Sequence, residues 1–414
     1  MSKLFLLLLQ LFLLLLPFSL FAEDLKTILS YSMQNNALVS AKTFTKDAQS
    51  KELKSLENSY YPTIDLGAYY QRTDERTPMQ AGTVYSGFAK IGFDIYDGGR
   101  KSAQVKQKKD ALHSSSLDIN AQKRVLSLEI VQDFFLIKNF NASLISLQEA
   151  QKSLTAQLQR VNRFYEAQLA TKDDVDRLQA VYDTNIYEIE SLKFNILSTK
   201  HSLELKVGKK IDVLDNSHFK NLENIEYEIA DYIQSLELKQ SAIKHSANSI
   251  DSIYYPQIRV EDTYSIYAYG GTDSKHPEGL DNQNRLLLSA NLRLFDNATI
   301  GEMKQSVELN AMALSQEIEY QKSTQKMNYD LSLLRIKTSR VKIESALSAL
   351  NSAKSAFESV EKKYDAGIVD NVVYLDALSA KTNATALYES SKNDLEIAYA
   401  IYYFYSGKNI EEYL

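Results

Sequence analysis

The chain has 414 residues, a formal charge of −6 and no cysteine. Without cysteine it forms no disulfide, holds no iron–sulfur cluster, presents no thiol nucleophile and takes no lipid on an N-terminal cysteine. Its 47 Lys and Arg against 53 Asp and Glu contain no basic cluster of the kind that favours nucleic acid.

The N-terminus reads MSKLFLLLLQLFLLLLPFSLFA. Lys3 is a short positive region, Leu4–Leu16 an apolar core, Pro17 a helix breaker and Ala22 a cleavage residue. The 13-residue core is short of the roughly 20 residues a spanning helix needs. Residues 1–22 are therefore expected to be a secretory signal peptide. No later stretch is apolar enough to span a bilayer as a helix, so any membrane must be entered in another form.

Glycine and proline then divide the chain. Pro62, Pro78, Pro256 and Pro277 fall in two windows, 60–100 and 254–296, together with nine of the thirteen glycines. Between Lys101 and Val207 there is neither residue. Breakers mark turns and strands, so the remainder is expected to be helical. A first helix covers about 24–58 and runs into "SYYP". Two strands follow. Ile64, Leu66, Ala68 and Tyr70 share one face and Thr63, Asp65, Gly67 and Tyr69 the other; Ala89, Ile91, Phe93 and Ile95 oppose Lys90 and Asp94. Such period-two alternation over about ten residues is the length of a tilted membrane strand. A helix of about 60 residues, from near Lys101 to near Tyr165, and another at 171–207 complete this half.

The second half repeats the order. A helix at 229–253 runs into "IYYP". Ile258, Val260, Tyr264, Ile266 and Ala268 oppose Arg259, Glu261 and Thr263, with Asp262 interrupting the apolar row. Leu286, Leu288, Ala290, Leu292 and Leu294 oppose Ser289, Asn291 and Arg293. Helices are expected from near Glu302 to near Tyr364 and at 370–406. Asp97 and Asp296, Tyr165 and Tyr364, and Gly208 and Gly407 are each 199 residues apart. A seven-residue apolar seam, Ile336, Ile343, Leu350, Phe357, Tyr364 with Ala346, Ala353 and Val360, shifts by 199 onto Ile137, Leu144, Gln151, Leu158, Tyr165 with Leu147, Leu154 and Val161. The chain is thus read as a duplication. Residues 1–22 are the signal, 23–207 the first repeat with a hairpin at about 62–97, 208–228 a connecting segment, and 229–414 the second repeat with a hairpin at about 256–296. Helices of about 60 residues are on the order of 90 Å long and imply a rod or tube.

Four strands cannot close a barrel, and lipid does not tolerate open edges. Several copies must therefore share one barrel. Two copies give eight strands, whose interior is normally filled; three give twelve, which leaves a lumen. Asp65, Lys90, Asp94, Arg259, Glu261 and Arg293 on the polar faces need water and favour twelve. Tyrosines gather at the strand ends, as at a membrane–water interface, with Tyr60, Tyr61 and Pro62, then Tyr254, Tyr255 and Pro256, marking the junctions.

The duplication, the two helix–Tyr-Tyr-Pro–hairpin–helix units, and the turns "YEAQLATKDDVDRL" and "YDAGIVDNVVYLDAL" resemble the TolC family of outer-membrane efflux and export ducts over essentially the whole mature chain. The resemblance implies an α+β membrane protein. In it, a homotrimeric twelve-strand β-barrel, four strands per chain, continues into a long periplasmic α-helical barrel. It implies a passive outer membrane channel of a tripartite efflux or type I secretion system of a Gram-negative bacterium. Its partners are a periplasmic adaptor (membrane fusion) protein and an inner-membrane transporter of RND, ABC or MFS type, with outer membrane lipid around the barrel. It implies no cofactor and no catalysis. By resemblance, Gln168, Leu169, Gly367 and Ile368 are adaptor-docking tips, with Gln168 standing where glycine is usual. Asp174 and Tyr364 take gate positions and Asp376 an acidic ring, while Val373 and Val369 replace an acid and an arginine of the family pattern. Asp174 equally fits a helix N-cap or first-turn acid in "TKDDV", and Asp376 a solvated helix face.

Two rival readings are weaker. The five histidines are scattered and no hydrolase, phosphate-loop or metalloprotease motif is present, against an enzyme. A trimeric coiled-coil adhesin requires neither duplicated hairpins nor charges facing a lumen.

Overall fold

The computed structural model describes residues 24–74, 81–211, 214–222, 225–270 and 280–414. The expected signal peptide, Pro78, Pro277 and His276 lie outside the described residues. The elements are α1 (Leu25–Asn35), α2 (Ala37–Asn58), β1 (Thr63–Arg72), β2 (Thr83–Asp97), α3 (Arg100–Glu166), α4 (Lys172–Val207), α5 (Asp231–Asp251), β3 (Gln257–Tyr269), β4 (Asn282–Asn291), α6 (Thr299–Asp365) and α7 (Asn371–Tyr405). The helix expected at 24–58 is two helices. Asn36 is extended, and its side-chain oxygen accepts from the N–H of Leu38 (2.8 Å) and Val39 (3.3 Å), capping α2. Its amide donates to Lys206 O at 2.7 Å, so one polar residue both breaks the helix and ties it to α4.

The chain divides into two compact units. One comprises Ala41–Asn120 and Asp231–Ser323. It holds an antiparallel sheet in the order β1-β2-β3-β4, with Ile64 opposite Ile91, Phe93 opposite Val260 and Leu288 opposite Val260. The two faces differ in chemistry. Ile64, Leu66, Leu286 and Leu288 lie on a face that is exposed in the single chain, between 66 and 82% accessible. On the other face Arg259 donates to Asp94 (2.8 Å) and Glu261 (3.3 Å), and Lys101 pairs with Asp94 at 3.1 Å. Gly92 is the hollow that admits Arg259, since a Cβ there would lie 2.8 Å from the guanidinium. Among the described residues β1 and β4 each pair with one neighbour only, which leaves both outer edges of the sheet open.

One expected strand is too long. The alternation through Leu292 and Leu294 predicts strand beyond Asn291, but β4 ends there, where its ladder partner Gln257 is the first residue of β3. The preceding Pro256 has no N–H to continue the ladder, and Arg293 consequently lies outside the sheet.

After each hairpin the chain turns into a long helix through two left-handed residues: Gly98 (φ 69°) and Gly99 (φ 83°), then Asn297 (φ 55°) and Ala298 (φ 64°). Asp97 accepts from Gly99 N (3.1 Å) and Lys101 N (2.8 Å), and Asp296 accepts from Ile300 N at 2.9 Å. The two aspartates 199 residues apart thus start α3 and α6 in the same way. In the same unit, α5 is tied to α3 by Ser114–Ser235 (2.9 Å) and Lys239–Asp118 (2.9 Å), and to α6 by Lys322–Glu237 (3.0 Å).

The other unit comprises Ala121–Ala230 and Thr324–Leu414 with the described part of Met1–Ser40. Many of the tyrosines are here. Tyr402 and Tyr403 are fully buried, Tyr403 stacks on Tyr413 at 4.2 Å and Tyr402 on Tyr329 at 5.5 Å. Each buried hydroxyl is satisfied by the connecting segment: Ile225 N donates to Tyr402 (3.1 Å) and Tyr403 donates to Lys220 O. Burial pushes the Tyr402 pKa up to about 12.

Candidate gate and docking tips

At the C-terminal ends of α3 and α6 the two turns close in the same way. Gln168 N donates to Tyr165 O (2.9 Å) and Leu169 N to Phe164 O (2.7 Å); Gly367 N donates to Tyr364 O (3.0 Å) and Ile368 N to Lys363 O (2.8 Å). This paired pattern closes a helix through a left-handed residue. Gly367 has φ 72° and Gln168 φ 59°, so the glutamine adopts the backbone that glycine supplies in the other turn. Leu169 and Ile368 follow and are 77 and 72% exposed.

Below the turns, one apolar cluster joins all four helices. Leu154 and Val161 of α3, Leu178 of α4, Phe357 of α6, and Tyr374 and Leu378 of α7 are buried together. Tyr364 is half-buried on its edge, its ring stacked on Tyr374 at 4.8 Å, whereas the repeat-related Tyr165 is exposed. Burial pushes the Tyr364 hydroxyl up; Arg160 acts against this, while Asp174 and Asp365 add to it. Burial also raises the Tyr374 pKa to about 12, with Glu361 adding to it.

Asp174 forms a capping box at the start of α4. The Thr171 hydroxyl (2.6 Å) and backbone N–H (3.1 Å) donate to its carboxylate, and its own N–H donates to Thr171 Oγ1 at 3.2 Å. These Thr171 hydrogen bonds hold the Asp174 pKa below the usual carboxylate range. The helix-cap role open in the sequence is therefore the one its side chain fills in the single chain. In α7, Asp370 caps through Val373 N (3.0 Å), and Val373 stands where Asp174 stands in α4. Asn371 of α7 donates to Asp174 O at 3.4 Å, joining the two helix starts. Asp376 is exposed on α7.

Asp174 and Tyr364 are thus brought near each other, while the four turn residues belong to two turns, one after α3 and one after α6. Tyr60, Tyr61, Pro62, Tyr254, Tyr255 and Pro256 belong to the other compact unit. Tyr61 and Tyr255 are exposed there, Tyr254 donates to Asp296 at 3.2 Å, and the Lys101 ammonium lies 5.6 Å from the Tyr60 ring. Sequence reasoning missed Arg160, Asp365 and Tyr374. Tyr374 carried a signal, an aromatic in the apolar run "VVYL"; Arg160 carried none, because Tyr364 and Asp365 are on another helix.

Residues 28–208 match the family of outer membrane efflux proteins. The chain is 21% identical over 390 residues to the outer membrane protein TolC of Vibrio cholerae serotype O1, covering 91% of this chain and 87% of that one. Against TolC of Escherichia coli K12 it is 20% identical over 407 residues, covering 92% and 82%. Its fold is similar to that of the Campylobacter jejuni CmeC outer membrane channel, with a TM-score of 0.83, 16% identity and coverage of 92% and 85%. The fold of the Vibrio cholerae outer membrane protein VceC is similar too, with a TM-score of 0.81, 12% identity and coverage of 93% and 96%. In sequence the chain is similar to TolC, with residues 28–208 matching the outer membrane efflux protein family, and in fold it is similar to outer membrane channels.

Proposed function

We propose that three copies of this chain close one twelve-strand barrel in the outer membrane, and that their helices form the passive exit duct of an efflux or type I secretion system. The observation that carries this reading is the four-stranded sheet: an apolar exposed face, a charged opposite face and two open edges. Such a sheet is stable in lipid only when its edges pair with other copies. Each repeat, 23–207 and 229–414, contributes one hairpin, and 208–228 joins them. The Tyr-Tyr-Pro junctions mark where strand meets helix at the membrane surface, and proline, lacking an N–H, favours extended chain there.

The exposed turns at Gln168–Leu169 and Gly367–Ile368 are the docking points for a periplasmic adaptor, which couples the duct to an inner-membrane transporter of RND, ABC or MFS type. Asp174 and Tyr364 hold the resting tip, and Asp376 gives the mouth a ring of three carboxylates. The cargo, small molecules or proteins, is selected by the transporter. Purified protein in planar bilayers tests this reading. It is expected to give discrete ion-conducting pores that multivalent cations block from the periplasmic side, with weaker block in Asp376→Ala. Absence of pores contradicts the duct, and unchanged block removes Asp376 from the mouth.

A further inference from the structure

At the tips Arg160 contacts two aromatic rings and both the carboxylate and the carbonyl of Asp365. Its guanidinium lies 5.4 Å from the Phe164 ring and 5.3 Å from the Tyr364 ring. One nitrogen donates to the Asp365 carboxylate, and a second donates to Asp365 O at 3.1 Å. The Tyr364 ring in turn stacks on Tyr374. A residue of the α3–α4 hairpin therefore grips the last turn of α6 across 205 residues of sequence. Arginine suits such a grip because its planar fork bonds two acceptors while its faces meet aromatic rings. The contact has no twin. The repeat-related positions are Ser359 and Glu166, so each chain carries one such tie. The apolar cluster holds this last turn only through Tyr364 at its edge, while Leu169, Ile368 and Tyr165 are exposed around it.

We propose that Arg160 is the latch of the tip, a positioning residue that ties the two hairpins of one chain until the Asp365 and Tyr364 contacts break. The assignment rests on the duct reading above. Asp365 is 57% exposed, so an adaptor seated on the turns reaches the latch from outside.

Single-channel recording of SDS-resistant trimers of Arg160→Gln, Asp365→Asn and the double variant tests it. Each single variant is expected to raise the open fraction about fivefold, equivalent to about 1 kcal/mol for a partly exposed, ring-supported ion pair. The double variant is expected to rise no further, because both changes break one link. Arg163→Gln, which removes an arginine that bonds only within its own helix at Gln159 O, is expected to leave the open fraction unchanged. Wild-type open fractions in both single variants overturn the latch, as do single effects that add in the double variant or an equal rise in Arg163→Gln. A wild-type protein that forms no pore overturns the duct reading itself, which separates the two failures.

Discussion

At the residue scale, the two tip turns form an internal comparison. Gly367 and Gln168 share one backbone conformation, but only glycine adopts it without a steric penalty of about 1–2 kcal/mol. Gln168→Gly is therefore expected to stabilise the tip by about 1 kcal/mol, and Gly367→Ala to destabilise it by a similar amount. The second change meets no obstacle, since nothing lies within 4 Å of the added Cβ. Protection of the tip amides in hydrogen exchange reads both. Tyr374 gives a pH dependence. Burial raises its pKa to about 12, so the folded chain keeps a proton that the unfolded chain loses near 10. Its contribution is complete below about 10 and lost as the pH rises from there to about 12. Tyr374→Phe is expected to remove that part of the alkaline destabilisation, measured as unfolding midpoints across the window. An unaltered alkaline profile contradicts the assignment. These residue contacts were the least legible part of the sequence. "TKDDV" shows that Asp174 suits a cap, because a capping box is local, whereas Arg160 meets Asp365 only once the fold brings α3 and α6 together.

At the element scale, the sequence was legible wherever a local rule decides. The long stretches poor in breakers became α3 and α6, each 67 residues, with Gly301 in the first turn of α6, and alternating stretches became β1–β4. The differences come from long-range partners. Asn36 divides the first helix because Lys206 O accepts its amide, and β4 stops short because its partner strand begins at Gln257. The turn at Asp97 carries a discriminating prediction. A Cβ on Gly98 would lie 2.3 Å from Ser252 O, while one on Gly99 meets nothing within 4 Å. Gly98→Ala is expected to abolish assembled protein in the membrane, whereas Gly99→Ala costs about 1 kcal/mol from its left-handed backbone alone. Equal yields of SDS-resistant oligomer from the two variants would contradict the close packing at Ser252.

At the scale of the whole molecule, the repeat explains why one chain carries two hairpins, two long helices and two tip turns. The copies have diverged at the tips: glutamine against glycine, a capping box against a single cap, an exposed Tyr165 against a stacked Tyr364. In the proposed trimer, a tip built from unlike hairpins has three-fold rather than six-fold symmetry. The outer-membrane location agrees with the chain's relatives, while the proposed sharing of one barrel rests on the open edges of the sheet. The count of chains in the native membrane is therefore the most direct test. Amine-reactive crosslinking of outer membranes, followed by mass measurement of the denatured products, is predicted to converge on three chains. Convergence on one or two chains would contradict the shared twelve-strand barrel and the duct built on it.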